Sequence, residues 1–151
     1  MNVAQLCSRS TVSVRKTDEV VTAARLMREH HVGYIVVIEP DFAGSTVRPI
    51  GVLTDRDIVV GIIARERDPR SLLVGDIMTE NPAVLNQFDS IAAAVQEMRR
   101  IGVRRMPVVG SLGELIGVLS LDDILDVLAG ELQNLAGAVR KERRIESDLR
   151  P

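Results

Sequence analysis

The sequence has almost no aromatic residues. Trp is absent and Tyr and Phe make up 2% of 151 residues, so any core must be built from Val, Ile, Leu and Met. That palette suits buried strands packed on helices. Cysteine is nearly missing too. Cys7 stands alone, which excludes an internal disulfide and makes a reducing cytoplasm the expected location. A surplus of one charge is also lacking: 19 Lys and Arg against 21 Asp and Glu leave a net charge of −2, with no global basic field for nucleic acid. The longest apolar runs stop well short of the ~20 residues a membrane span needs. The first residues carry neither the basic nor the apolar region of a secretory signal, so no membrane insertion or export is expected.

Chemistry-bearing constellations are scarce as well. His30 and His31 are adjacent, and adjacent side chains rarely converge on one ion; no spaced Cys or carboxylate set accompanies them. No nucleophile elbow or Gly-rich phosphate loop is present, and no acid–base pair stands out, so catalysis is not expected. Cys7 reads as a small apolar contact rather than a reactive thiol.

The strongest positive signal is internal. With Val3 aligned on Val74, the halves run in step: Val14 on Leu85, Asp18 on Asp89, Val20 on Ile91, Met27 on Met98, Val37 on Val108. After a loop of unequal length, Ile50-Gly51-Val52-Leu53-Thr54 falls on Ile116-Gly117-Val118-Leu119-Ser120, and Asp57-Ile58 on Asp123-Ile124. Two copies are too few for a solenoid, so they are expected to pack on each other about a pseudo-twofold. A half of this size would bury only a marginal core alone.

Each copy reads as β-α-β-β-α. Short strands are predicted at 11–14 and 83–85. A helix follows, with Val20, Ala23, Ala24 and Met27 on one face, and Ile91, Ala94, Val95 and Met98 on its counterpart. Asp18 and Asp89 are predicted N-caps and Gly102 a C-cap. Val- and Ile-rich runs at 34–38 and 50–53, and at 106–109 and 115–119, read as hairpins. Closing helices begin near Asp55 and Leu121. The charged stretch 65–70, broken by Pro69, reads as a linker, which divides the chain into repeats at 1–65 and 66–130 and a helical tail at 131–151. In that tail Leu121, Leu125, Leu128, Leu132, Leu135, Ala136 and Val139 keep helical spacing, although Gly130 and Gly137 weaken it by roughly 1 kcal/mol each.

The most informative motif is Gly51-Val52-Leu53-Thr54-Asp55-Arg56-Asp57 with its partner Gly117-Val118-Leu119-Ser120-Leu121-Asp122-Asp123. Each sets a hydroxyl at a strand-to-helix junction and a carboxylate three residues on. A carboxylate can accept both vicinal hydroxyls of a ribose, while a hydroxyl and free N–H groups at a helix start favour an anion. Helix capping alone is a sufficient reason for the same residues. Duplication of the whole strand–Gly–hydroxyl–carboxylate unit is what points to binding.

These units, together with Val74-Gly75-Asp76-Ile77-Met78-Thr79 and Val103-Arg104-Arg105-Met106-Pro107-Val108-Val109, resemble a tandem pair of cystathionine-β-synthase (CBS) domains, from Val3 to about Ala129. The resemblance implies an α+β fold of two intertwined β-α-β-β-α units packed through their sheets, followed here by an extended C-terminal helix. It implies an adenine nucleotide (AMP, ADP or ATP) or S-adenosylmethionine as a regulatory ligand in the cleft between the repeats. Asp57 and Asp123 would hold ribose, and Thr54 and Ser120 would sit near ribose or phosphate. The base would rest on Val12 and Val32, near Tyr34, in copy one, and on Ala83 and Val103 in copy two. Arg104 and Arg105 would meet phosphate. Copy one carries Gly33 and Tyr34 instead of those arginines, so phosphorylated ligands are expected at the site of Ser120 and Asp123. A homodimer through the closing helices and a separately encoded effector protein are the expected partners. The alternative is a structural dimerisation module without ligand.

Overall fold

The computed structural model describes residues 1–150. A short helix, α1 (Val3–Leu6), precedes β1 (Ser13–Val14), α2 (Val20–His30), β2 (Tyr34–Pro40), β3 (Val47–Thr54) and α3 (Asp55–Ile58). α3 runs on into a π turn at Val59–Ile63, and a 3₁₀ turn follows at Pro69–Ser71. The second copy holds α4 (Val74–Ile77), β4 (Thr79–Glu80), β5 (Leu85–Asn86), α5 (Ile91–Ile101), β6 (Arg105–Val109), β7 (Leu115–Ser120) and α6 (Leu121–Leu149). The architecture is the expected repeated α+β arrangement ending in a long helix.

Local chemistry explains most boundaries, with two corrections. α2 and α5 begin one residue later than the predicted caps imply. α5 is capped by Ser90, whose hydroxyl accepts from Ala93 N–H at 3.1 Å, and α2 begins after Glu19 without a side-chain cap. Asp18 and Asp89 close the preceding turns instead, accepting from the N–H groups of Arg15 (2.8 Å) and Asn86 (2.9 Å). The buried stripes are Val20, Ala23 and Met27 on α2 and Ala94 and Met98 on α5; Val95 falls at the edge of its stripe and is exposed. Gly102 ends α5 in the left-handed region (φ 82°), and His31 takes the same role for α2 (φ 54°).

Two sheets result, with strand orders β1-β2-β3-β4 and β5-β6-β7. In each, the first strand pairs in parallel with the second, which forms a hairpin with the third. The copies also exchange their leading arms. β4, from the second copy, extends the first sheet by pairing with β3, and Ser8, from the first copy, bridges to Val118 of β7. Val3 and Cys7 are accordingly buried with Leu85, Met98, Met106 and Leu119, whereas Val74 is buried with Val14, Met27, Ile35 and Leu53. Packing therefore crosses the sequence divisions at 65 and 66. The exchange explains two glycines. A Cβ on Gly51 would fall 2.6 Å from Met78 Sδ and 3.1 Å from the carbonyl oxygen of Thr79, and one on Gly117 would strike the carbonyl oxygen of Ser8. Each glycine is the seat of the other copy's arm.

Candidate binding clefts between the repeats

Each strand-to-helix junction is fixed by reciprocal bonds. Thr54 Oγ1 accepts from Asp57 N–H (3.1 Å), and Asp57 Oδ2 accepts from Thr54 N–H (2.8 Å), which completes a capping box. Ser120 Oγ likewise accepts from Asp123 N–H (3.1 Å), but its hydroxyl then donates to Asp123 Oδ2 (2.7 Å). Ser120 is buried, and Asp57 and Asp123 are half-buried. Capping thus orients both carboxylates, and each retains a second oxygen able to accept further hydrogen bonds.

The sheets meet so that each junction faces the other copy's apolar shelf. One cleft, of about 640 Å³, joins Thr54 and Asp57 of copy one to Ala83, Val103, Arg104 and Arg105 of copy two, with Tyr34 at its wall. Its volume lies in the roughly 300–1,000 Å³ range of small-molecule sites. The other cleft, of about 220 Å³, joins Ser120 and Asp123 of copy two to Val12, Val32 and Tyr34 of copy one. All eleven predicted residues line one cleft or the other. Their grouping differs from the expectation that the arginines and Asp123 would share a site. Arg104 lines the Thr54–Asp57 cleft, and only Arg105 also reaches the Ser120–Asp123 cleft. The pseudo-twofold is the cause: it carries a shelf from one copy onto the helix start of the other, so residues of one repeat divide between sites.

Tyr34 and Arg105 are equivalent residues of the two copies, and both line both clefts. Burial pushes the Tyr34 phenol far above its usual range, and Arg105 nearby offsets this only in part, so the side chain is a neutral wall. At the mouth of the larger cleft a single carboxylate holds both arginines: Asp122 Oδ1 accepts from Arg104 Nη2 at 2.9 Å, and Asp122 Oδ2 lies 3.8 Å from Arg105 Nη2. These side chains are 71%, 44% and 54% exposed for Arg104, Arg105 and Asp122. Exposed pairs of this kind contribute roughly 0–1 kcal/mol, so an incoming phosphate can displace the carboxylate at little cost.

Sequence reasoning missed several lining residues. Asp55 and Arg56 line the larger cleft, and Ser8, Ser10, Thr11 and His31 line the smaller. Arg56 was visible inside the motif, but its counterpart in copy two is Asp122, so the repeat comparison discounts it. Ser8 aligns with Thr79, an equivalence that carries meaning only once the arms are seen to cross. Among the described residues no group of three or more His, Cys, Asp or Glu side chains is gathered as for a metal, and no helix is long and apolar enough to cross a membrane.

Comparison with known proteins returns one family. The CBS domain family model matches residues 3–64 and again 74–130. An uncharacterised protein of Methanopyrus kandleri is 31% identical over 128 residues, covering 84% of this chain and 62% of that protein. A mitochondrial CBS domain-containing protein of Arabidopsis thaliana is 33% identical over 116 residues, 76% of this chain and 54% of its own length. The chain thus spans little more than half of these curated relatives. Among solved structures, a CBS domain protein from Pyrobaculum aerophilum complexed with AMP superposes with a TM-score of 0.71 at 28% identity, covering 82% of this chain and 89% of that one.

Proposed function

The chain belongs to the CBS domain family, carrying the domain twice, and from that premise we propose that it is a regulatory module whose clefts take an adenine nucleotide or another adenosyl ligand. AMP, ADP, ATP and S-adenosylmethionine are the candidates, and the output is a signal to a separate effector protein in the cytoplasm. One observation carries the reading: in each cleft a capped hydroxyl–carboxylate junction of one repeat faces an apolar shelf of the other. That arrangement offers a carboxylate to ribose hydroxyls, a non-polar surface to a base and donors to an anion. The AMP complex of the Pyrobaculum aerophilum relative supports the ligand class.

The clefts differ in charge, and the difference assigns ligands. Arg56, Arg104 and Arg105 line the Thr54–Asp57 cleft, while Arg105 is the sole arginine lining the Ser120–Asp123 cleft. The larger cleft is therefore the one for a phosphorylated ligand, and the smaller one suits an uncharged adenosyl group or stays vacant. In this reading the chain is not an enzyme: it binds its ligand without turning it over.

A second reading has its own support. The Thr54–Asp57 capping box is complete without any ligand, as a purely structural dimerisation module would require. Thermal denaturation with AMP, ADP, ATP, S-adenosylmethionine and NADH separates the two. A saturable rise in melting temperature with at least one adenosyl compound is expected, because a ligand at 100 times its Kd stabilises by about 2.7 kcal/mol. No shift with any of them, at millimolar concentration, overturns the sensing role.

A further inference from the structure

We propose, on the basis of the adenosyl-binding reading, that Arg105 is one cation shared by the two clefts. A phosphorylated ligand in either cleft then disfavours a second one in the other, while an uncharged ligand is still admitted there. Gly33, Tyr34 and Arg105 are the residues that line both clefts. Strand register explains why. Tyr34 opens β2 opposite Thr54 of β3, and Arg105 opens β6 opposite Ser120 of β7. Cross-strand partners share a face of the sheet. Each side chain therefore leaves the sheet beside the hydroxyl of its own copy and reaches the other copy's junction across the pseudo-twofold. The two positions are equivalent, yet one carries a neutral phenol and the other a guanidinium. An arginine at both would give each cleft its own cation; this chain has one between them.

Charge makes the sharing matter. Taken together, the clefts are lined by three arginines, Arg56, Arg104 and Arg105, and by three aspartates, Asp55, Asp57 and Asp123. Arginines and aspartates thus cancel before any ligand arrives, and each phosphomonoester brings a charge of about −1.5 to −2 at pH 7. The larger cleft meets that charge with all three arginines, the smaller with Arg105 beside Asp123. Arg105 is exposed, and its ion-pair contact is the long one to Asp122, 3.8 Å from Nη2 to Oδ2, so it is free to turn toward a phosphate in either cleft. Once it is engaged, a second phosphate meets uncompensated negative charge across the same wall. Adenosine in that place carries no charge and meets no such opposition. The clefts are therefore coupled for anions and independent for neutral ligands, and the coupling is equal in both directions.

Calorimetric titration of the full chain with AMP and with adenosine tests this. The wild type should take one AMP, and adenosine should still enter beside it. Asp57→Asn empties the larger cleft, and AMP should then occupy the smaller one, from which a further Asp123→Asn change should remove it. In Asp57→Asn the smaller cleft should bind AMP about tenfold or more tightly than the wild type binds a second AMP, a coupling of ordinary size between sites. Arg105→Gln, a change to an exposed side chain, separates sharing from simple inequality of the clefts. In the wild-type background it should weaken the first AMP by roughly 10- to 150-fold and leave the second unmoved. In the Asp57→Asn background it should weaken AMP at the smaller cleft by a similar factor. Adenosine binding should change in neither. Two equal AMP sites in the wild type, a second step that Arg105→Gln weakens, or smaller-cleft binding in Asp57→Asn that is absent or indifferent to Arg105→Gln overturns the shared cation. A wild type that binds no AMP is a different result, and it overturns the adenosyl-binding reading itself.

Discussion

Replacing Asp57 separates the two roles that its carboxylate can play. In the free protein Asp57 Oδ2 accepts from the backbone N–H of Thr54 at 2.8 Å, while the residue also lines the larger cleft. Asp57→Asn keeps an amide oxygen for that bond, so the cap survives and stability should change by a few tenths of a kcal/mol. The ribose loses a charged acceptor, and hydrogen bonds to charged groups contribute roughly 1.5–3 kcal/mol. That corresponds to a loss of AMP affinity of about 10- to 150-fold at this cleft. Asp57→Ala removes both roles: affinity falls by at least as much, and loss of the cap costs about 1 kcal/mol, a drop of roughly 2–4 °C for a chain of this size. Calorimetric titration of AMP paired with thermal denaturation reads both quantities. If Asp57→Asn binds AMP like the wild type while Asp57→Ala only melts earlier, the carboxylate serves the helix alone and the ribose role is wrong.

Three further outcomes follow from the same geometry. Arg104→Ala with Arg105→Ala should abolish most of any preference for AMP over adenosine, a preference that in the wild type should shrink as salt rises; full retention in the double variant would mean that backbone amides and hydroxyls hold the phosphate. Gly51→Ala and Gly117→Ala should each destabilise by roughly 1–3 kcal/mol in urea unfolding, because the added methyl meets the crossing arm, and wild-type stability in either would argue against the exchange. Tyr34 is the only Tyr and Trp is absent, so absorbance near 295 nm reports one phenol. Its pKa is raised in the folded state, so its contribution to stability is complete below the unfolded value near 10 and is lost as pH climbs beyond it. The native chain should show no ionisation around pH 10 while the urea-unfolded chain does; identical curves would contradict the burial.

Much of this was legible in the residues. The repeat from Val3 on Val74 and the alternation of strand and helix patterns determine the β-α-β-β-α order, because hydrophobic periodicity is a local signal. The hydroxyl–carboxylate junctions were legible for the same reason: Thr54 and Asp57 lie three residues apart on one turn. What escaped was which residues meet across the pseudo-twofold. Nothing local tells that Ser8 closes the second sheet, that Gly117 is empty to admit it, or that Arg104 faces Asp57 and not Asp123. The caps expected at Asp18 and Asp89 fall one residue later, because Asp serves turns and helix starts equally well and only the position of the first helical residue separates them. The apolar face of α6 was visible as a stripe, but its exposure could be known only from what the body of the fold fails to cover.

Whether the crossed junctions are binding sites is decided by calorimetric titration of AMP into the wild type and an Asp57→Asn, Asp123→Asn double variant. Saturable binding to the wild type is expected, at no more than two sites per chain, with near-complete loss in a double variant that melts at the wild-type temperature. Equal binding by both proteins, or no heat with the wild type at any millimolar concentration of AMP, contradicts it.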